Sequence, residues 1–491
     1  MESKDTAHTS EEKLERVSTG IPGLDQSIGG GIPLGFITMV SGEPGTGKTT
    51  FALQYAFHQA KKGEKVLYIT TSESISKLRR LAKRFDFYDP KLLREKKIIF
   101  HDYSISEYVD ELSKVDAASF FKNLGKTIKR EGIKHLIIDP VTILGLVYER
   151  EIDFRRNILL IEPIIGQIGC TTLLTAEIPK GTDLYSKYGI KEYIVDEVLI
   201  LRKELLDGRI VRHIQLEKMR GTEIKQPSYP YTLKDGFRCF EPFKYSPPEH
   251  RREWEPVPDT EKHFSTGSED LDKVLGGGYR RGGFVLIDVG ENVPPAGYRL
   301  FNYLPLLNFI TQDRGAAIIT VGGADAEEVR KRASMFVSSE RFDKYVRIIE
   351  RKMPDKDQNK PYIVTIDGES LEEDKKKWLE VQSELREMTK APLYLHFGYD
   401  VLEYRYWEQA LVEFTSQIVS LVKGHGDLGI AVTKPGLAST QELANMATMH
   451  IKIIEIDGSI AFYGIQPRTG VYHINIDVSR GFPKLKLTPI V

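Results

Sequence analysis

The chain has 491 residues, enough at roughly 150 per domain for two large α/β units or three smaller ones. Apolar residues make up 41% and charged residues 28%, which supports a sizeable packed core and excludes a largely disordered chain. Sixty-nine Lys and Arg face 70 Asp and Glu, a formal charge of −1, so the global basic excess of an electrostatic nucleic-acid binder is absent.

Residues 1–16 read as a flexible polar tail with no apolar h-region, and no later run reaches about 18 apolar residues, so a cytoplasmic protein without a membrane span is expected. Residues 17–245 form the first predicted domain. Here short apolar runs alternate with helical patterns: GFITMVSG, a helix from about Thr49 to Lys61, KVLYITTS, a helix, HLIID, a helix and TTLLTAE. That alternation predicts βαβ units on a mostly parallel sheet flanked by helices. Two strand-like runs then meet at Asp207-Gly208, the signature of an antiparallel hairpin, and extend the domain with β-structure. The two cysteines, Cys170 and Cys239, offer neither a disulfide framework nor zinc-ligand spacing and suit a reducing compartment.

At the end of the first strand stand Gly42, Glu43, Pro44, Gly45, Thr46, Gly47, Lys48 and Thr49, followed by Thr50, which fit G-x-x-x-x-G-K-[ST] between strand and helix. Glycines let successive N–H groups face phosphate oxygens, Lys48 reaches the β and γ phosphates, and Thr49 offers a hydroxyl to Mg²⁺. HLIID ends in Asp139, where a strand presents either a magnesium-side carboxylate or a helix cap. Glu73, after the second strand, is the candidate to orient or deprotonate water, with capping of the next helix as the other reading. Lys218 and Arg220 share one face of a strand end, as a solvated pair or as cations for a neighbour's γ-phosphate. Glu177 reads as a γ-phosphate sensor or a loop carboxylate.

TGIPGLDQSIGGG at residues 19–31 recurs as TGSEDLDKVLGGG, with Gly20, Leu24 and Asp25 repeated as Gly267, Leu271 and Asp272, 247 positions on. Between the copies, residues 246–262 are rich in proline and read as a stiff linker; residues 263–491 form the second domain. One extra residue then makes the offset 248, and Gly47, Lys48 and Thr49 correspond to Pro295, Ala296 and Gly297. Gly322-Gly323 stand where the glutamate should be, Asp400 is the nearest carboxylate to the Asp139 position, and Lys218 and Arg220 correspond to Gln466 and Arg468. Without the lysine and the metal ligands no ATP hydrolysis, and no autophosphorylation, is expected there.

Taken in order, TGIPGLDQSIGGGIPLGF, GEPGTGKTT, TTSES, IIDP, LLTAE and EKMRGT resemble the KaiC-type branch of the RecA/RadA ATPases over the whole first half. The resemblance implies tandem RecA-like P-loop domains, ATP and Mg²⁺, and a homo-oligomeric ring, often a hexamer, with nucleotide at subunit interfaces. It gives the phosphates to residues 42–50, the magnesium side to Asp139, water activation to Glu73, and a contribution from the neighbouring subunit to Lys218 and Arg220. The usual acidic pair after the second strand is here Ser72-Glu73, so slow hydrolysis is expected. One intact loop before a degenerate lobe also resembles the archaeal gas-vesicle regulatory proteins of the GvpD type. These are associated with basic clusters, for which Lys77, Arg79, Arg80, Lys83 and Arg84 are the candidate, with a solvated helix face as the other reading.

The leading expectation is a regulatory ATPase whose second domain is a scaffold or partner-binding unit. A RadA-like recombination ATPase would use Lys180, Lys187 and Lys191 with Tyr185 and Tyr188 to track and stack on single strands. The third reading is a nucleotide-gated scaffold without turnover.

Overall fold

The computed structural model describes residues 14–103, 117–141, 166, 168–178, 195–353, 357–406 and 408–491. Two compact units result: Met1–Glu241 with Ile490–Val491, and Pro242–Pro489.

In the first unit, β1 (Ile37–Gly42) leads into α1 (Lys48–Lys61), followed by β2 (Val66–Thr70), α2 (Ile75–Ala82), β3 (Ile98–Asp102), α3 (Ala117–Glu131), β4 (His135–Asp139) and β5 (Thr171–Glu177). Then come β6 (Glu197–Leu206), β7 (Arg209–Met219), β8 (Ser228–Thr232) and β9 (Arg238–Cys239). Among the described residues the sheet order is β3-β2-β4-β5-β1-β6-β7-β8-β9. Strands β1 to β6 pair in parallel, while β6 to β9 pair as antiparallel neighbours.

The central strands are apolar along their length because both faces are covered. Val40, Ile137 and Leu173 pack with Phe51 and Leu53 of α1, whereas their neighbours Met39, Ile138 and Leu174 pack with Leu124 and Ile128 of α3. Asp207 (φ 48°) and Gly208 (φ 69°) make the left-handed turn expected of the β6–β7 hairpin. Edge strand β3 goes beyond the sequence reading. Its apolar content is the short run Ile98, Ile99 and Phe100, and only Ile98 is fully buried, so the alternation that marks the inner strands is weak here.

The second unit contains β10 (Gly283–Val289), α4 (Leu300–Ile310), β11 (Ala316–Ile319), α5 (Ala326–Ala333), β12 (Val346–Arg351), β13 (Ile363–Ile366), α6 (Leu371–Thr389), β14 (Tyr394–Gly398) and α7 (Tyr399–Arg405). After these come β15 (Leu428–Thr433), β16 (Met449–Ile456), β17 (Ser459–Gln466), β18 (Tyr472–Asp477) and β19 (Lys484–Pro489). The order is β13-β12-β11-β14-β15-β10-β16-β17-β18-β19, which is the first unit's order with β13 added at one edge. Three of these strands, β12, β13 and β15, were not legible as strands. The six-residue run of β15 is interrupted by Gly429 and is buried along its length between β10 and β14.

Both repeats of the TG…LD…GGG motif build the same local structure. Asp25 accepts hydrogen bonds from Ser18 Oγ (2.6 Å), Thr19 N (2.8 Å) and Thr19 Oγ1, and Asp272 accepts from Ser265 Oγ, Thr266 N (2.7 Å) and Thr266 Oγ1 (2.6 Å). Gly31 (φ 124°) and Gly278 (φ 109°) admit no side chain, since a Cβ would lie 2.2 Å from the Val17 carbonyl oxygen and 2.3 Å from that of Phe264.

Residues 246–262, read as a linker, pack into the second unit instead. Trp254 is 3% exposed, Val257 N and O are both hydrogen-bonded by the Asn308 side-chain amide (2.8 and 2.9 Å), and Asp259 is paired with Arg281 and Arg314. The prolines suppress helix and strand, but burial of Trp254 and the paired Asp259 hold the segment down. Among the described residues no helix is long and apolar enough to cross a membrane.

Replacing Asp272 by Ala strands three donors of the second repeat. Chemical denaturation should show a loss of about 2–4 kcal/mol, and a change under about 0.5 kcal/mol would show that the carboxylate does not organise the motif.

Candidate nucleotide site

β1 delivers the chain into the glycine-rich loop, where Gly45 (φ 79°) and Gly47 (φ 96°) turn the backbone through the left-handed region. A Cβ on Gly47 would also crowd the Leu233 methyl groups, the nearer at 2.6 Å, so a larger residue would both strain φ and displace Leu233. Helix α1 then starts at Lys48 with no side chain capping its N-terminus. Loop carbonyls are taken from behind: Tyr231 donates to Thr46 O (2.6 Å), Arg212 Nη1 to Gly45 O (3.0 Å), Lys203 Nζ to Pro44 O (3.0 Å), and Thr46 Oγ1 to Glu43 O (2.8 Å). Carbonyls engaged in this way cannot oppose an anion, and the uncapped α1 terminus carries the positive end of its dipole.

Lys48 is 8% exposed and donates from Nζ to Gly42 O (2.8 Å) and Glu43 O (3.1 Å). Burial lowers its pKa; the charges of Glu177 and then Asp139 work against that shift. Glu177 lies directly beside Gly42 in the β1–β5 register, which is how it acts on the lysine. Asp139, 4% exposed, receives Tyr68 Oη on Oδ2 and Thr175 Oγ1 on Oδ1. Burial first and this carboxylate second push the Tyr68 pKa far up, so the phenol stays a donor. Thr49 is half-buried on the first turn of α1.

Asp139 is level with Thr70 across β2 and β4, and Thr70 Oγ1 donates to Glu73 O (2.6 Å), placing Glu73 on the same sheet edge. At ~4.8 Å per strand, β2 stands roughly 14 Å from β1. The Glu73 carboxylate pairs with Lys77 Nζ at 2.7 Å. Ser72 is exposed. Lys77, Arg79, Arg80, Lys83 and Arg84 form the solvent side of α2 and the turn after it, while Leu78 and Ala82 are buried.

Lys218 and Arg220 stand on the other edge. β7 runs antiparallel to β6, so its end lies beside Glu197, next to the start of β1. That end is level with Thr38, four residue rises before Gly42, so the two are separated by roughly 13 Å along the strand and about 10 Å across two strand spacings. Here Arg220 Nη1 pairs with Asp196 Oδ1 at 2.7 Å with its side chain 59% exposed, and Lys218 Nζ donates to Val195 O at 2.6 Å. Burial, then Arg220, lowers the Lys218 pKa. The structure therefore brings residues 42–50, Asp139, Glu177 and Glu73 to one edge and does not bring Lys218 or Arg220 to their own loop. Lys180, Tyr185, Lys187, Tyr188 and Lys191 lie outside the described residues.

No sequence motif marks Tyr231, Arg212 and Lys203, which reach the loop from 159 to 185 positions away, nor Tyr68 and Thr175. None marks Glu197 either. This residue is fully buried and accepts from Thr38 Oγ1 (2.9 Å), while its Oε1 has no partner among the described residues. Burial pushes its pKa up to about 7.

In the second unit the loop position is a short helix, Pro295–Tyr298, and β14, in the place of β4, ends in Gly398. Asp400, the nearest carboxylate, does not stand free as a metal ligand: Oδ2 pairs with Lys434 Nζ (2.5 Å) and accepts Gly322 N (2.9 Å).

Residues 17–238 match the family model described as "ATPase: KaiC", and residues 253–491 match "GvpD basic region 2". The first half of the chain is thus similar to KaiC-like ATPase domains and the second to the GvpD basic region. It is 30% identical to the circadian clock oscillator protein KaiC of Acaryochloris marina over 56% of this chain and 52% of that one. The corresponding protein of Synechococcus elongatus is 28% identical over the same shares. Protein GvpD2 of Halobacterium salinarum is 26% identical over 98% of this chain and 96% of its own length. The chain thus spans about half the length of the KaiC relatives and nearly all of GvpD2. The KaiC-like match covers every residue of the loop edge and both cations of the opposite edge.

Folded Glu197 holds its proton to about pH 7, whereas an ordinary glutamate releases it near 4.5. The folded state therefore binds the extra proton in that window, and stability falls as pH rises through it. Relative to Glu197→Gln, the wild-type chain should lose up to about 3 kcal/mol between pH 5 and 8 in denaturation midpoints. Parallel pH profiles would contradict the assignment.

Proposed function

We propose that the first domain binds ATP with Mg²⁺ and hydrolyses it slowly at a site completed by a neighbouring subunit of a homo-oligomeric ring, six-membered on the family's pattern. In this reading the chain is a regulatory ATPase, and its second domain is a non-catalytic scaffold or partner-binding unit. The observation that carries the reading is the separation of Lys218 and Arg220 from their own loop by most of the length of β1. Head-to-tail packing sets one subunit's trailing edge against the next one's leading edge and gives those cations a phosphate to face.

The residues present fit the reading. The uncapped start of α1 and the glycines hold phosphates, and Lys48 exchanges its contacts with Gly42 O and Glu43 O for β and γ oxygens. Thr49 and Asp139 would hold Mg²⁺, a hard ion suited to such oxygens, which neutralises phosphate charge when bound. Tyr68 and Thr175 fix the orientation of the Asp139 carboxylate. Glu73 orients water for attack on the γ-phosphorus and takes its proton. Its carboxylate is held by Lys77, Ser72 stands in place of a second acidic residue, and the slow turnover in this reading rests on those two features.

Lys48→Ala should abolish the rise in Tm that ATP and Mg²⁺ give the wild type; an unchanged rise would refute the loop assignment. Arg220→Ala should cut kcat by about 10³-fold with nucleotide affinity nearly kept. Mixed one to one with Glu73→Gln, it should recover about a quarter of wild-type turnover, because that share of interfaces pairs an intact Glu73 with an intact Arg220. No recovery in rings shown to be mixed would rule out the shared site.

A further inference from the structure

The second unit holds a cavity of about 410 Å³ between α4, α5 and the β11–β14 part of its sheet. That is the size of a small-molecule site. Its lining includes Arg251, Arg299 and Arg332 and contains no Asp or Glu. Arg332 is shared with Glu328, one turn away on the same helix, but Arg299 has no carboxylate partner among the described residues. Ala296, at the position corresponding to Lys48, also lines the space, so no loop lysine is present to meet a triphosphate.

Polar groups inside the cavity are arranged in a fixed order. His396 Nδ1 lies 2.9 Å from Ile319 O, which can only accept, so Nδ1 carries the hydrogen. Burial lowers the His396 pKa to about 4 and keeps the ring neutral, leaving Nε2 to accept from Asn302 Nδ2 at 2.7 Å. Tyr394 Oη donates to the Asn302 carbonyl at 2.6 Å and secures the residue further. With its amide nitrogen committed, Asn302 has Oδ1 as a buried acceptor without a partner among the described residues, and the hydroxyl of Tyr303, another residue of the lining, is likewise buried and unpartnered. Two orphaned polar atoms on residues that line the cavity are costly unless a ligand that enters the wall satisfies them. The remaining wall is apolar, with Leu300, Leu306, Val329, Met335 and Phe336.

We propose that this cavity is a binding site for a small amphipathic organic anion: an acidic head for Arg299 and Arg332, an aromatic or branched apolar body, and an N–H or O–H donor for Asn302 Oδ1. The site goes beyond the nucleotide reading and does not depend on it.

The probe is 8-anilinonaphthalene-1-sulfonate, which combines a sulfonate, an aromatic body and one N–H, titrated by fluorescence and calorimetry into the full chain. One saturable site per chain is expected, with Kd raised at least tenfold by Arg299→Ala and several-fold by Tyr303→Phe, and binding lost in Val329→Trp, which fills the space. The neutral N-phenyl-1-naphthylamine should bind at least tenfold more weakly. Excess ATP with Mg²⁺ should not displace the sulfonate, and Lys48→Ala should retain it. Unsaturable binding, equal affinity for the neutral probe, or loss in Lys48→Ala would overturn the proposal. If Val329→Trp fails to fold, Arg299→Ala decides: unchanged affinity there overturns it too.

Discussion

In the first unit β1, β2, β4, β5 and β6 all run in one direction, so the carboxyl ends of neighbouring strands collect Gly42, Glu177, Asp139 and the Thr70–Glu73 turn along a single edge. The same polarity, reversed once by the hairpin, sends the end of β7 to the opposite edge with Lys218 and Arg220. Most of what this domain can do chemically follows from that arrangement. In the proposed reading an anion site forms where strand ends, an uncapped helix and a buried lysine coincide, and the two cations at the opposite edge serve a neighbouring molecule. The hairpin has a second task as well, since Lys203, Arg212 and, further on, Tyr231 hold the loop's carbonyls away from the site.

The second unit shows that the scaffold and its chemistry separate readily. Strand order, the Asp272 motif and the close-packed Gly278 all persist, because each is needed to close the sheet and seat the first turn. The positions of Lys48 and Thr49 hold Ala296 and Gly297, the strand that corresponds to β4 ends in Gly398, and Asp400 is paired with Lys434. This unit also holds an arginine-lined, acid-free cavity with two unsatisfied polar atoms on its lining residues. The same strand order thus carries different side chains at the corresponding positions.

Local signals were legible in the sequence. The glycine-rich loop, the Asp207-Gly208 hairpin and the duplicated motif each depend on a few adjacent residues with special φ or a fixed spacing, and each stands where it was expected. Edge and insert strands were not, because β3, β12 and β13 have short or half-exposed runs whose burial comes from pairing rather than from pattern. The contacts of Tyr231, Arg212 and Lys203 with the loop cross more than 150 residues, and no motif encodes them. Proline content suggested a linker at 246–262; a single buried tryptophan and one paired aspartate reversed that reading.

Steady-state ATP turnover measured across protein concentrations, with mass determined in parallel with and without ATP and Mg²⁺, tests the shared-edge account most directly. Turnover per chain should rise as ATP-driven assembly proceeds and then level off when the rings are complete. Turnover per chain that stays constant down to a monomeric protein would contradict the shared-edge account.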